Sequence, residues 1–179
     1  MSKKIYQPEI NSLSPFFSRE GVAVIGASHD YTKLGYGLAR NLVQSNYQGA
    51  VHFVNPKGGS LLNRPMYSQI QLVPDPVDLA ILLIPAAAVP QALVECGQRG
   101  IKAAIIISGG FKETGQEGEK REALCREIAN RYAMRIIGPN GIGVIDTHTP
   151  LNTTFIPEMT GRGQIDFISQ SGALCGGII

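Results

Sequence analysis

Val22-Ala23-Val24-Ile25-Gly26-Ala27-Ser28 is the stretch whose reading decides the fold. Apolar, mostly β-branched residues run into glycine, alanine and serine, and a glycine-punctuated helical pattern follows from Leu34. The combination predicts a buried strand entering a tight turn that opens a helix. Such a turn suits an anion, because small residues let a ligand approach the backbone and the helix start presents N–H groups and a positive dipole end. An ordinary strand-to-helix turn has the same composition, so the stretch alone leaves the ligand open.

Working outward, residues 1–20 read as a lead-in in which Leu13, Phe16 and Phe17 pack onto the first unit. Leu34 to Asn46 places Leu38, Leu42 and Val43 on one helix face, and Ala50 to Val54 forms a second strand ending in Asn55-Pro56-Lys57. Leu61 to Val73 reads as irregular chain with at most a short helix. Asp78 to Ile84 is nearly continuous in apolar residues, the pattern of a central parallel strand buried on both faces, and Pro85 closes it. A helix from about Ala87 to Arg99, a strand from Ala103 to Ile107, an amphipathic helix from Glu117 to Tyr132 and a strand from Arg135 to Ile137 complete the alternation. In the Glu117–Tyr132 helix, Leu124, Ile128 and Ala129 form the apolar side.

Strands alternating with helices predict a Rossmann-like, doubly wound parallel α/β sheet over residues 21–146, with helices on both faces and all strand carboxyl ends on one edge. Ligands bind such sheets at that edge. The Thr- and Pro-rich stretch 147–162 reads as a linker. Gly163 to Ile168 is expected to begin the first strand of a second, flavodoxin-like domain, followed by the turn Ser169-Gln170-Ser171-Gly172 and an apolar helix start. A small appendage packing back on the first domain is the other reading of 163–179.

The composition excludes several classes. A net charge of +2 offers no footprint for nucleic acid. Cys96, Cys125 and Cys175 are odd in number and lack metal-type spacing, so reduced thiols are expected rather than disulfides or zinc. The amino terminus lacks the apolar run of a signal peptide, and the apolar stretch Leu79 to Val89 is too short to span a bilayer. A cytoplasmic protein with no membrane association is the expectation. Dinucleotide and Walker-type sites fit poorly: the next glycine after Gly26 is Gly35, no G-K-[ST] follows, and Lys57 stands where a nicotinamide site carries an acid. A lysine there prefers phosphate.

Taken in order, Val24-Ile25-Gly26-Ala27-Ser28, Asn55-Pro56-Lys57, Val77-Asp78-Leu79-Ala80, Ser108-Gly109-Gly110-Phe111-Lys112-Glu113, Gly138-Pro139-Asn140-Gly141-Ile142-Gly143 and Ile168-Ser169-Gln170-Ser171-Gly172-Ala173-Leu174 form a set. The set resembles the amino-terminal part of the ADP-forming acyl-CoA synthetases (acetate–CoA ligases), relatives of the succinyl-CoA synthetase α subunit. The resemblance implies that Gly26, Ala27 and Ser28 face the phosphates of coenzyme A and that Lys57 neutralises one, with Asn55 and Pro56 in the same turn. It implies that Ile84 and Pro85 line the nucleotide or pantetheine path, that Ser108, Gly109 and Phe111 continue the groove, and that Asn140 closes it near the thiol. Lys33 and Arg64 are further candidates for phosphate, although each also reads as a solvated surface cation.

The family's reaction converts acyl-CoA, ADP and phosphate to acid, CoA and ATP through a phosphohistidine. Ser169, Gln170, Ser171 and Gly172 resemble the turn that steadies that group. His29, His52 and His148 do not match the histidine, so it is expected outside this chain, as are the ATP-grasp part and the Mg and ATP/ADP it handles. The chain is expected to bind CoA without turnover and to work with downstream domains or an ATP-grasp subunit; a homo-oligomer is left open. A free-standing CoA-binding regulatory module and the CoA-binding part of a fused acetyltransferase are the rival readings.

Overall fold

The structure, a computed structural model, describes residues 10–17, 20–157 and 160–178. Strand β1 (Gly21–Ile25) is buried at every position, as its apolar run requires. It pairs in parallel with β2 (Ala50–Val54) on one side and with β5 (Leu79–Leu82) on the other. Beyond β5 come β6 (Ala103–Ile106) and β7 (Arg135–Ile137), and beyond β2 come β4 (Arg64–Tyr67) and β3 (Gly59–Leu61). The order of the seven-stranded sheet is β3-β4-β2-β1-β5-β6-β7, parallel except for the antiparallel β3–β4 hairpin. The chain runs outward from β1 to one edge and returns to β5, so the topological switch falls between β1 and β5.

Alternate residues of each strand face opposite layers. On one face Val22, Val24, Leu79 and Ile81 pack with Leu38 and Leu42 of helix α1 (Leu34–Gln44), together with Phe53 and Phe16. On the other, Ala23, Ile25, Ala80 and Leu82 pack with Leu93 and Cys96 of α2 (Val89–Gln98) and with Cys125 and Ile128 of α3 (Gln116–Arg131). This is the doubly wound α/β architecture expected, with helices on both faces of the sheet.

Several expectations are corrected. Of the lead-in side chains only Phe16 is buried; Leu13 and Phe17 are exposed, and residues 1–9, 18 and 19 lie outside the described ones. In α3 the inward position is Cys125, while Leu124 is 45% exposed, because a helix turns about 100° per residue and only one of two neighbours can face the sheet. The stretch expected to be irregular holds the β3–β4 hairpin, whose turn residues Leu62 and Asn63 both have positive φ, as a two-residue hairpin turn demands. The stretch read as a linker carries β9 (Leu151–Asn152), which pairs with β8 (Ile145–Asp146) just before it, and Leu151, Asn152, Thr153 and Thr154 are buried. Gly163 to Ile168 forms no strand: the segment is exposed and leads into helix α4 (Gly172–Ile178). A strand there has no neighbour among the described residues to satisfy its backbone groups.

Candidate functional site

The carboxyl ends of β1, β5, β6 and β7 open on a cavity of about 790 Å³ at the switch point. Gly26 after β1, Leu83 and Ile84 after β5, and Ile107, Ser108 and Gly109 after β6 form its floor. Asn140, Gly141 and Ile142 close one side and Lys33, Leu34 and Gly35 at the start of α1 the other. The far wall is Phe155 and Ile156, with Gln170, Gly172, Ala173 and Gly176 of the α4 region. The size and the mostly apolar lining with a few polar groups are those of a small-molecule site.

Backbone approach is what shapes the floor. Gly26 has φ +98°, and a β-carbon there would stand 2.3 Å from Leu83 O. Gly35 packs on the same turn, its β-carbon position 2.3 Å from Gly26 O, so α1 starts directly against the end of β1. The Tyr36 and Gly37 N–H groups donate to Lys33 O, those of Leu34 and Gly35 have no intrahelical acceptor, and Lys33 at the N-cap makes no side-chain cap bond. An anion at this end therefore meets backbone donors, the helix dipole and a lysine.

Of the residues proposed for the first site, Gly26, Lys33, Ile84, Ser108, Gly109 and Asn140 line the cavity. Ala27 is fully buried beneath the turn, and the half-buried Ser28 hydroxyl accepts from Asp30 N–H at 3.1 Å. Asn55 acts on the turns themselves: its Nδ2 donates to Ala27 O at 2.8 Å and its Oδ1 accepts from Lys57 N–H at 3.0 Å. It thus ties the β2 turn to the β1 turn. Pro56 and Lys57 are exposed in the turn after β2 and Pro85 is exposed at the end of β5; none of the three lines the cavity. Ser108 fixes neighbouring chain, its hydroxyl donating to Ile84 O at 2.5 Å. Asn140 sits at φ +57° with its N–H bonded to Ser108 O at 3.0 Å.

Phe111 does not continue the groove. It is 0% exposed and packs in the α2–α3 core, since an aromatic ring with no polar handle gains most from full burial. Arg64 is displaced as well: it lies on the amino side of the Phe53–Met66 pair, away from the carboxyl edge. Among the four turn residues of the second motif, Gln170 and Gly172 line the cavity, while Ser169 Oγ accepts from Ser171 N–H at 3.0 Å within the turn. Phe155 and Ile156 were missed because a Thr- and Pro-rich stretch carries no periodic signal.

The titratable groups around the edge have local roles. Asp30 accepts from Thr32 Oγ1 at 2.6 Å and from Thr32 N–H, which lowers its carboxyl pKa. Glu113 accepts from Gly110 N–H at 2.6 Å, and backbone donors of its own loop hold it below the usual carboxylate range. His29 contacts Ser60 O at 2.5 Å through Nε2, and the His148 N–H donates to Asp146 Oδ1 at 2.8 Å. His52 is pushed down by burial, then by the Arg99 charge. Burial pushes the thiols of Cys96 up to about 12 and Cys125 up to about 11, which makes them inert apolar packing groups. All three cysteines are unbridged, and no cluster of metal-ligating side chains exists among the described residues. No described helix is long and apolar enough to cross a membrane.

An open parallel sheet with a glycine turn, an N-terminal helix end and a cavity at its switch point defines a class: an α/β protein that binds a phosphorylated small molecule. The family model for the CoA-binding domain matches residues 20–147, and the chain belongs to that family. It is 47% identical to the acetate–CoA ligase (ADP-forming) II subunit alpha of Pyrococcus furiosus, over 93% of this chain and 36% of that protein. It is 45% identical to the acetate–CoA ligase (ADP-forming) I of Archaeoglobus fulgidus, over 85% of this chain and 22% of that one. Among solved structures, an acetyl-coenzyme A synthetase of Ca. Korarchaeum cryptofilum in complex with phosphate and ADP superposes with a TM-score of 0.89 at 37% identity, covering 94% of this chain and 36% of that one. The chain thus spans little more than a third of the first of these relatives.

Proposed function

We propose that this chain is the CoA-binding portion of an ADP-forming acyl-CoA synthetase, and that its ligand lies along the carboxyl edge with the phosphates over Gly26–Ser28, Lys33 and Lys57. The uncharged pantetheine arm then runs past Ile84 and Ser108 into the apolar cavity, with its thiol end towards Asn140. One observation carries this reading. Lys33 at the start of α1, the exposed Lys57 after β2 and a mostly apolar cavity at the ends of β1 and β5–β7 lie along one sheet edge, matching a molecule charged at one end and uncharged at the other. Burial of the arm is driven by its apolar surface, and the phosphates are held by charge-assisted hydrogen bonds.

The full reaction, acyl-CoA with ADP and phosphate giving acid, CoA and ATP, needs a phosphorylated histidine and an ATP-grasp part. None of the three histidines of this chain lines the cavity, which supports a division of labour in which this part holds CoA and other parts carry the phosphoryl group. The exposed Gly163–Ile178 segment is then the beginning of the next domain, with 147–162 joining the two. Calorimetric titration with CoA, dephospho-CoA and NADH tests the binding. Saturable CoA binding, weakened about tenfold in Lys57→Ala and absent for NADH, is expected. NADH binding without CoA binding overturns the reading.

A further inference from the structure

The far wall of the cavity, where Ile156 O also accepts from Asn152 Nδ2 at 3.2 Å, is tied to α1 by one side chain that touches neither the cavity nor any residue proposed to bind phosphate. Asn41 lies on the buried face of α1 and is 4% exposed. Its Nδ2 donates to Thr154 O at 2.9 Å and to Ile156 O at 2.6 Å, and its Oδ1 accepts from Arg40 Nη2 at 3.2 Å. The segment it grips is satisfied polar group by polar group. Asn152 Oδ1 accepts from Thr154 N–H and Oγ1, Thr154 Oγ1 accepts from Ile156 N–H, and Thr153 Oγ1 both accepts from Val144 N–H and donates to Val144 O. Buried networks of this kind fix one geometry, because leaving any member unpaired is costly.

The grip has a direction. Leu34, Gly37 and Asn41 fall on one face of α1: Leu34 lines the cavity, Gly37 lies under Phe155, its β-carbon position 3.7 Å from Phe155 O, and Asn41 takes the two carbonyls that flank Phe155. Phe155 and Ile156 are thereby set over the cavity. Ile156 also meets α4, where a β-carbon at Gly176 would stand 3.8 Å from Ile156 Cδ1. Both donor hydrogens of one amide are thus spent on the wall facing Ile84 and Ser108.

We infer that Asn41 is a positioning residue for the uncharged arm of the ligand: by fixing the backbone of 154–156 it sets the apolar wall against which the arm packs, and it has no part in holding the phosphates. This rests on the CoA reading above. A residue that only stabilised the fold would affect every ligand alike, whereas Asn41 acts on one end of one ligand.

The test is titration of the 179-residue chain with CoA and with the adenosine bisphosphate that forms its nucleotide end. In Asn41→Leu, close in size but without donors, CoA affinity falls about tenfold while that of the bisphosphate changes by less than about twofold. Ile156→Ala keeps the Asn41 bonds, which go to backbone, and removes the wall; it shows the same selective loss, about threefold. If Asn41→Leu does not fold, Asn41→Ala, which also removes both donors, takes its place with the same expected selective loss. Equal losses for both ligands, no loss for either, or a wild-type chain that binds CoA no more tightly than the bisphosphate overturns the inference. A wild-type chain that binds neither ligand overturns the CoA reading itself.

Discussion

Two glycine-rich turns stand on the same sheet edge, after β1 and after β6, and they are built for opposite ends. In the turn Ser108–Phe111 Gly110 is claimed from within: its N–H donates to Glu113, and its carbonyl accepts from Arg121. The nearest acid to the Gly26–Ser28 turn, Asp30, is committed instead to Thr32. A carboxylate already lying in a nest of N–H groups does what a bound anion would do, and excludes one. The difference teaches that a glycine-rich loop reads as a phosphate site only after its own acids have been accounted for.

The largest effect should come from Gly26→Val. Positive φ and a β-carbon 2.3 Å from Leu83 O together predict a loss of about 3 kcal/mol in denaturant unfolding, with CoA binding abolished. Gly109→Ala, in the other turn, meets only the side-chain ends of Glu113 and Asn140, at 3.2 and 3.3 Å. Its stability should change by less than about 0.5 kcal/mol, with a several-fold loss of CoA affinity because it lines the cavity. Equal damage from the two would erase the contrast.

Two pH measurements sharpen it further. His52 titrates at 6.5 unperturbed and lower when folded, so below about pH 6.5 the unfolded chain binds a proton that the folded chain does not. Stability should fall as pH drops below about 6.5, and His52→Gln should lack that slope. Glu113 acts lower and more weakly. Its folded pKa lies below the ordinary 4.5, so its contribution is present above that value and is lost as pH falls through the folded one. In Glu113→Gln this acid step should disappear from unfolding curves, with less than about 1 kcal/mol lost at neutral pH.

The apolar runs of β1, β2, β5, β6 and β7 and the faces of α1 to α3 were legible because burial on both faces, or on one helical stripe, imposes periodicity on the residues themselves. The β3–β4 hairpin was not: strands of three and four residues containing Arg64 and Pro65 are too short to show a period. Half of the cavity followed from the strand ends, which any parallel sheet brings to one edge. Its far wall did not, because Asn152, Thr153 and Thr154 are polar residues buried by bonding to one another and to the nearby backbone, and a sequence read for hydrophobicity places them in solvent. Phe111 failed in the opposite sense, a motif position whose side chain serves the core.

Helix α4 offers the cavity Gly172, Ala173 and Gly176, while Leu174 and Ile178 stay exposed beside the exposed Ile165, Phe167 and Ile168. A helix that is a wall on one side and uncovered on the other makes the site's affinity a shared property. A surface that packed on the outer side and held α4 in place would strengthen what the inner side binds, and the bound ligand would strengthen that packing by the same factor.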